Sequence, residues 1–307
     1  MRRRRVLVAV GAVVLTLFVA GVIVVVTNDD DCSAPAGLAI VFSRQEEIGG
    51  GTYLMSPSGG CVAKGFPLGD QAKVLGNRVV YPNSPTEGQE IYVRALGLNQ
   101  PSPLRLTSSP GKNESPDWSP DARRIVFVST RDGNEQLYLI DADGRSERRL
   151  TTNAAADTDP AWSPDGTRIA FVSTRDGNRE LYVMSSQGGT EQRLTTNEVP
   201  DTQPAWSPDG SQIVFASGPF GSEQLHVIAA DGGVAERVTT NRGADTEPAW
   251  SPDGAQIAFV STRTGEHEIY LMTSRGADQR RLTMNRGYDI NPRWVTDASM
   301  FMLSKGS

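Results

Sequence analysis

The stretch that decides the fold is residues 157–197, which begin DTDPAWSPDG and continue through IAFVS, LYVM and RLTTN. The same pattern recurs along the chain, and its tryptophan returns every 44 residues without an insertion. The five copies of this residue are Trp118, Trp162, Trp206, Trp250 and Trp294. A period of about 40–50 residues is typical of propellers and solenoids, which stack copies of one supersecondary unit.

Strand content favours a propeller over a solenoid. Residues 169–172 and 181–183 are short β-branched and aromatic runs, apolar on both faces, as expected for strands in sheets that are covered on both sides. The SPDG sequence at residues 163–166 supplies proline and glycine where a tight turn needs them. Asp165, like Asp209 in the next repeat, is therefore interpreted as a structural residue of the turn. No stretch after residue 36 has sustained helical periodicity. Each repeat therefore predicts four strands, A to D, in an all-β fold, with the Trp at the end of strand A.

The number of blades follows from strand C, which occurs six times. Its copies are centred on Tyr53, Tyr92, Tyr138, Tyr182, His226 and Tyr270. The first two copies are degenerate and lack the Trp, and the sequence ends soon after a strand A at Trp294. The two ends can therefore complete one shared blade, which removes an exposed sheet edge. We predict a six-bladed β-propeller over residues 37–307; seven blades is the alternative, because strand B occurs seven times.

The N-terminus predicts a membrane anchor. Residues 1–5 carry four Arg, residues 6–27 are uncharged and mostly apolar, and the linker at residues 28–36 contains three Asp. A run of about 20 apolar residues crosses a bilayer as a helix, and a basic flank stays in the cytoplasm. We therefore predict a cytoplasmic basic tail, a single transmembrane signal-anchor helix in the cell membrane, and a propeller outside the cytoplasm. A cleaved signal peptide is the alternative.

Charge and cysteine content limit the partners. The net charge of -6 argues against nucleic acid, because binding phosphates needs a basic surface. Both cysteines, Cys32 and Cys61, would lie outside the cytoplasm, where an oxidising environment permits a disulfide; two free thiols are the alternative. We expect a monomer.

The repeat resembles the WD-like propeller repeat of the TolB family. The sequences WSPDG, IAFVS, LYVM and RLT carry the resemblance, which is close from Trp118 to Thr283 and weaker over residues 38–303. It implies a six-bladed propeller outside the cytoplasm that recruits envelope partners without catalysis. TolB-like proteins have an α/β domain before the propeller; here we expect none, because about ten residues separate the apolar run from the first strand. The propellers of prolyl-oligopeptidase-like peptidases are similar too, but no GxSxG motif occurs and 13 residues follow Trp294, so we expect no hydrolase domain.

The most informative polar set follows the repeat. Each D–A loop places Asp or Asn five residues before the Trp, and the B–C loops on the same face carry Arg. The set comprises Asn113, Asp157, Asp201, Asp245 and Asp289, with Arg131, Arg175 and Arg263. Because strand A lines the central channel, these carboxylates should gather at one channel mouth and bind a cation or a basic partner segment, since a narrow mouth of one charge focuses the field. The alternative is structural: Asp pairs with Arg, or caps its own loop.

No residue pattern predicts catalysis or a cofactor. His226 takes the strand C position that is Tyr in the other copies, which favours packing, and His267 is expected in solvent. No cluster has metal-site spacing, and a Trp in every repeat favours a wedge between blades over a ligand-stacking ring. Polar residues recur blade by blade, whereas a channel enzyme needs titratable groups in one or two blades. The sequence thus predicts a protein- or peptide-binding scaffold of the envelope; a hydrolase or lyase with a site in the channel is the alternative.

Overall fold

The fold is taken from a computed structural model. It describes residues 15–19, 22–26, 39–45, 51–58, 62–64, 71–83, 88–96, 101–284 and 287–295. At residues 15–19, 22–26, 51 and 62–64 the description covers the backbone alone. The predicted tail at 1–5, the linker at 28–36, Cys32 and Cys61 lie outside the described residues, so the disulfide stays a prediction.

The described part of the predicted transmembrane segment forms a β-hairpin. Strand β1 (Leu15–Val19) pairs antiparallel with β2 (Val22–Val26), with Leu15 opposite Val26. All five residues of β2 are β-branched, and such side chains favour strands over helices when no bilayer acts on the chain. In the described part of the chain, no helix is long and apolar enough to cross a membrane. The predicted helix over residues 6–27 is therefore not confirmed.

The described residues after the hairpin form a six-bladed β-propeller, which confirms six blades rather than seven. Each blade is a four-stranded antiparallel sheet in the order A–B–C–D. Blades 1 and 2 contain β3 (Ala39–Gln45), β4 (Gly51–Met55) and β5 (Val62–Lys64), then β6 (Lys73–Leu75), β7 (Arg78–Asn83), β8 (Glu90–Ala95) and β9 (Leu104–Arg105). Blades 3 and 4 contain β10 (Asn113–Trp118), β11 (Arg124–Ser129), β12 (Gln136–Asp141) and β13 (Arg148–Arg149), then β14 (Asp157–Trp162), β15 (Arg168–Ser173), β16 (Glu180–Ser185) and β17 (Glu191–Arg193). Blades 5 and 6 contain β18 (Asp201–Trp206), β19 (Gln212–Ser217), β20 (Gln224–Ala229) and β21 (Glu236–Arg237), then β22 (Asp245–Trp250), β23 (Gln256–Ser261), β24 (Glu268–Thr273) and β25 (Arg280–Arg281).

The ring is closed by a strand from the other end of the chain. Strand β26 (Tyr288–Val295) is strand A of blade 1 and pairs antiparallel with β3, so that Trp294 lies opposite Ile40. The predicted shared blade is confirmed. Closure pairs the edge of β3 that faces the channel, because a free edge would expose a row of backbone donors and acceptors.

Each inner strand contributes side chains to two cores. In β15, Ile169 and Phe171 pack with Trp162 on one side of the sheet, whereas Ala170 and Val172 pack with Trp206 of the next blade on the other. Successive side chains of a strand point to opposite faces, so an apolar run without alternation is what stacked sheets require.

The repeated tryptophans are wedges between blades, as predicted. Trp206 is buried between the sheets of blades 4 and 5, and its indole Nε1 donates a hydrogen bond to the carbonyl of Ala161 in the preceding blade at 3.0 Å. Trp250 makes the equivalent bond to Ala205 at 3.2 Å. The ring therefore supplies apolar contact area and a directed polar link together.

The SPDG turns behave as the sequence predicts. Gly166 has a φ of +72°, and its N–H donates to the carbonyl of Ser163 at 2.9 Å. The Asp165 carboxylate accepts from the Ser163 hydroxyl at 2.6 Å and from the Thr167 N–H at 3.0 Å. These bonds to the charged form lower the pKa of Asp165 to about 2, which identifies it as a turn residue.

Candidate functional site

The predicted Asp and Asn residues lie at equivalent places in five blades, at the start of strand A. All five are fully buried. Four of them are bonded to an arginine of their own blade: Asn113 Oδ1 to Arg131 Nη2 at 3.0 Å, Asp157 Oδ1 to Arg175 Nη2 at 3.1 Å, Asp245 Oδ2 to Arg263 Nη2 at 3.0 Å, and Asp289 Oδ1 to Arg44 Nε at 2.7 Å. The fifth, Asp201, has no arginine at this place.

The arginine of each pair also covers an aromatic ring of strand C. The guanidinium of Arg175 lies 4.5 Å from the ring centroid of Tyr182, and the Tyr182 ring packs at a tilt against Phe171 of strand B, with 5.7 Å between the ring centroids. We name the space between the strand A carboxylate or amide and this aromatic pair the guanidinium slot. Equivalent stacking distances are 4.3 Å for Arg131 on Tyr138, 4.6 Å for Arg263 on Tyr270 and 4.5 Å for Arg44 on Tyr53.

The expectation that the Asp residues approach the channel axis is not met by this geometry. None of them lines the channel or its mouth. A β-bulge in the strand A of blades 1, 3, 4, 5 and 6, which lies between Thr158 and Ala161 in β14, turns another residue toward the axis. The bulge residues have left-handed φ values between 49° and 56°: Ser115, Asp159, Gln203, Glu247 and Asn291.

The bulge residues form a chain of hydrogen bonds from blade to blade. The Gln203 N–H donates to Asp159 Oδ2 at 3.3 Å, and the Glu247 N–H donates to Gln203 Oε1 at 2.9 Å. Ser115 is held in the same way by Gln71 of blade 2 at 2.9 Å. A left-handed non-glycine residue costs about 1–2 kcal/mol, so these bonds stabilise a strained ring around the channel. The sequence signal for this ring was the polar residue before the Pro of strand A in blades 1, 3, 4, 5 and 6.

One layer of the channel is charged in blades 1 to 3 and apolar in blades 4 to 6. The position before the Trp is Arg293 in blade 1, Asp117 in blade 3 and alanine in blades 4 to 6, and Lys73 takes the equivalent place before Val74 in blade 2. Burial raises the pKa of Asp117, against the attraction of Lys73, and burial lowers the pKa of Lys73, against the attraction of Asp117. Asp117 Oδ2 accepts from the Trp162 N–H at 2.8 Å, so its carboxylate joins blades 3 and 4. These blade-specific charges escaped the sequence reasoning, which followed repeated residues.

The channel opens into a wide mouth on the face of the B–C and D–A loops. The inner cavity holds about 390 Å³ and the mouth about 740 Å³, and they share Asp159, Gln203 and Glu247. Burial raises the pKa of Asp159. In the described part of the chain, no three His, Cys, Asp or Glu side chains are grouped as a metal site would require.

One blade breaks the symmetry of the mouth. The B–C loop of blade 5 reads GPFGSE at residues 218–223, where blade 4 reads TRDGNR. This change leaves Phe220 fully exposed on the mouth cavity, which Tyr288 and His267 also line. His267 is half-buried, contrary to expectation, and packs edge-on against Tyr288 at 5.1 Å. His226 packs against Phe215 at 5.7 Å, as predicted.

One protein family matches most of the chain. The TolB beta propeller domain matches residues 74–203 and 200–307. The chain belongs to this family. The match begins in blade 2 and continues to the C-terminus, so the TolB-like resemblance of the repeat is confirmed.

Individual TolB proteins are similar over different lengths. The Tol-Pal system protein TolB of Bordetella pertussis is 38% identical over 55 residues, which are 18% of this chain and 12% of that protein. The crystal structure of TolB from Acinetobacter baumannii has a TM-score of 0.71 at 21% identity, over 84% of this chain and 66% of that one. A putative TolB from Agrobacterium tumefaciens has a TM-score of 0.62 at 21% identity, over 87% and 93%. At these identities the two structures establish the fold alone.

Proposed function

We propose that this TolB β-propeller is a monomeric, protein-binding scaffold of the cell envelope, which holds a segment of another envelope protein at its channel mouth. The observation that carries the proposal is the mouth cavity of about 740 Å³, where the exposed Phe220 and Tyr288 stand beside polar side chains. A concave site with aromatic walls and a few polar groups is the usual form of a binding pocket, and exposed aromatics are enriched at interfaces.

The charge of the mouth selects for a basic segment. Asp159, Glu223 and Glu247 line it, against Arg179 as the basic residue among the lining side chains. An acidic concave surface attracts a basic partner and speeds its encounter. A metal cation is the smaller alternative occupant, and we propose no cofactor and no catalytic step.

The eight residues of the predicted polar set take a supporting role in this proposal. Six of them pair within blades 3, 4 and 6 and hold the B–C loops of those blades against strand A, as Arg175 does with Asp157, and Asp289 pairs with Arg44 in blade 1. The neighbouring B–C loop of blade 5, which has no such pair, carries Phe220 and Glu223 at the cavity.

We further propose that residues 6–27 anchor the propeller in the cell membrane, with the propeller outside the cytoplasm. Four Arg before the apolar run and three Asp after it favour this orientation. In a bilayer the open edges of a two-stranded hairpin would leave backbone groups without partners, whereas a helix pairs them all. The hairpin of β1 and β2 would therefore give way to a helix in the membrane.

Protease added to intact spheroplasts tests the orientation. We expect it to digest the propeller, whereas a cytoplasmic marker protein stays whole. A propeller that is fully protected, or a soluble mature form beginning near Gly37, would contradict the anchor.

Affinity capture from the organism's envelope with the full-length chain as bait tests the binding face. Phe220→Asp is expected to reduce capture of the specific partner at least about tenfold, because it removes an exposed aromatic from the mouth. Val234→Asp is the matched control, since Val234 is equally exposed but lies in a C–D turn on the opposite face. Equal capture by both variants would place the partner elsewhere.

A further inference from the structure

Blade 5 contains a guanidinium slot without its arginine. Asp201 starts strand A as Asp157 does in blade 4, and Phe215 with His226 repeats the aromatic pair. Pro219 stands where the sequence of blade 4 has Arg175. Blades 1, 3, 4 and 6 each fill the slot with their own arginine, and the corresponding loop of blade 2 lies partly outside the described residues.

The aromatic ring of the blade 5 slot is more exposed than its counterparts in the other slots. Under an arginine, Tyr138, Tyr182 and Tyr270 are 5%, 4% and 5% exposed, whereas His226 is only half-buried. Burial lowers the pKa of His226, so at neutral pH the ring is uncharged and presents a face on which a guanidinium can stack.

The acid of this slot lacks the cation that its counterparts have. Asp201 is fully buried, and within the described residues its Oδ1 has no hydrogen-bond partner; Oδ2 accepts from Asn197 Nδ2 at 2.6 Å. Burial raises the pKa of Asp201, although the hydrogen bond from the Asn197 amide acts against the shift. A buried carboxylate without a cation is costly, and this one lies beneath the loop that carries the exposed Phe220.

We propose, building on the binding function above, that blade 5 receives an arginine side chain of the partner segment. The incoming guanidinium would stack on His226 and bond to Asp201 and Ser217, as Arg175 stacks on Tyr182 and bonds to Asp157 and Ser173. The loop between Gly218 and Gly221 moves aside to admit it, and both glycines already have positive φ values of 134° and 85°.

Arginine fits this slot better than lysine. A planar guanidinium presents several N–H donors and an aromatic-stacking face together, whereas an ammonium is a compact point charge. Four blades of this chain place an arginine in the equivalent slot, so the contacts of these arginines show how an arginine from a partner would bind in blade 5.

The two histidines of the chain make the test direct, because His226 forms the slot and His267 lies in the mouth. The full-length protein in detergent, with labelled histidine rings, is titrated by NMR with the peptide Gly-Ser-Arg-Ser-Gly, blocked at both ends. We expect a saturable shift of the His226 signals. The same peptide with neutral citrulline in place of arginine should bind about tenfold more weakly, since it loses the charge-assisted hydrogen bonds.

Two variants complete the test. Gly218→Thr together with Pro219→Arg gives the loop the first two residues of the blade 4 loop, and it should abolish the His226 response because the new arginine of the chain itself occupies the slot. If that variant does not fold, Asp201→Asn is used instead, and it must weaken the binding of the arginine peptide about tenfold. Absence of a His226 shift, equal binding of both peptides, or an unchanged response in the folded variants overturns the slot. A His267 shift without a His226 shift would reject the slot and leave mouth binding intact, which the Phe220→Asp capture experiment decides independently.

Discussion

Trp206→Ala is expected to lower the free energy of unfolding by about 3–5 kcal/mol, because truncating a large buried aromatic leaves a cavity. The side chain lies between blades 4 and 5 among Ala170, Val172 and Phe215. The variant also loses the indole bond to Ala161, so two sheets lose their packing and a directed link together.

Chemical denaturation of the full-length protein in detergent measures this effect. Phe220→Ala is the control, since the same loss of an aromatic ring at a fully exposed site should change stability by less than about 0.5 kcal/mol. An unchanged unfolding curve for Trp206→Ala would contradict the wedge role and revive a ligand-stacking one.

Asp157→Asn is expected to destabilise the protein by about 1.5–3 kcal/mol, the usual worth of a hydrogen bond to a charged group. It leaves the guanidinium of Arg175, which is largely buried, with Glu191 as its remaining anionic partner. Asp245→Asn should behave alike through Arg263. Asp201→Asn is the matched contrast: it has no arginine to leave unpaired and should be neutral or stabilising.

The contrast has a pH dependence whose sign is set by the raised pKa of Asp201. The folded protein holds this proton to a higher pH than the unfolded chain, so folded stability falls as pH rises from the ordinary value of 3.8 through the raised pKa. Asp201→Asn has no titrating group at this place, so its free energy of unfolding should rise relative to that of the wild type as the pH increases across that window. Melting curves of the three variants between pH 3 and pH 8 measure it. The same change of stability in all three variants would contradict the pairing of Asp157 and Asp245 with arginine. Variants that melt like the wild type but bind cations more weakly would favour an acidic binding ring.

Much of the propeller could be predicted from the sequence because each blade repeats one pattern of buried strands. The 44-residue return of Trp206 and its copies determines blade number, strand order and the wedge. The shared blade follows from which strands stand near the two ends, since β26 must pair with β3. These inferences depend on burial and periodicity, which repeat with the sequence.

The candidate site could be predicted from the sequence less well than the fold, because it depends on local backbone geometry. A single bulge moves Asp157 away from the axis and brings Asp159 to it, and spacing alone gives no sign of that turn. Arg44 was missed because it follows Ser43 directly, whereas Arg175 follows Ser173 after one residue. Phe220 was missed because the sequence analysis followed residues that recur in every blade. A residue that departs from the repeat distinguishes one blade from the others and can therefore mark a binding surface.

The measurement that tests the central claim most directly is photo-crosslinking in living cells, with a photoreactive phenylalanine analogue at one position of the full-length chain. Position 220 probes the mouth and position 234 probes the opposite face. The proposed function predicts a discrete crosslinked envelope protein at position 220 that is absent at position 234. The same crosslinks at both positions, or none at position 220 in cells that contain the folded protein, would contradict binding at the channel mouth.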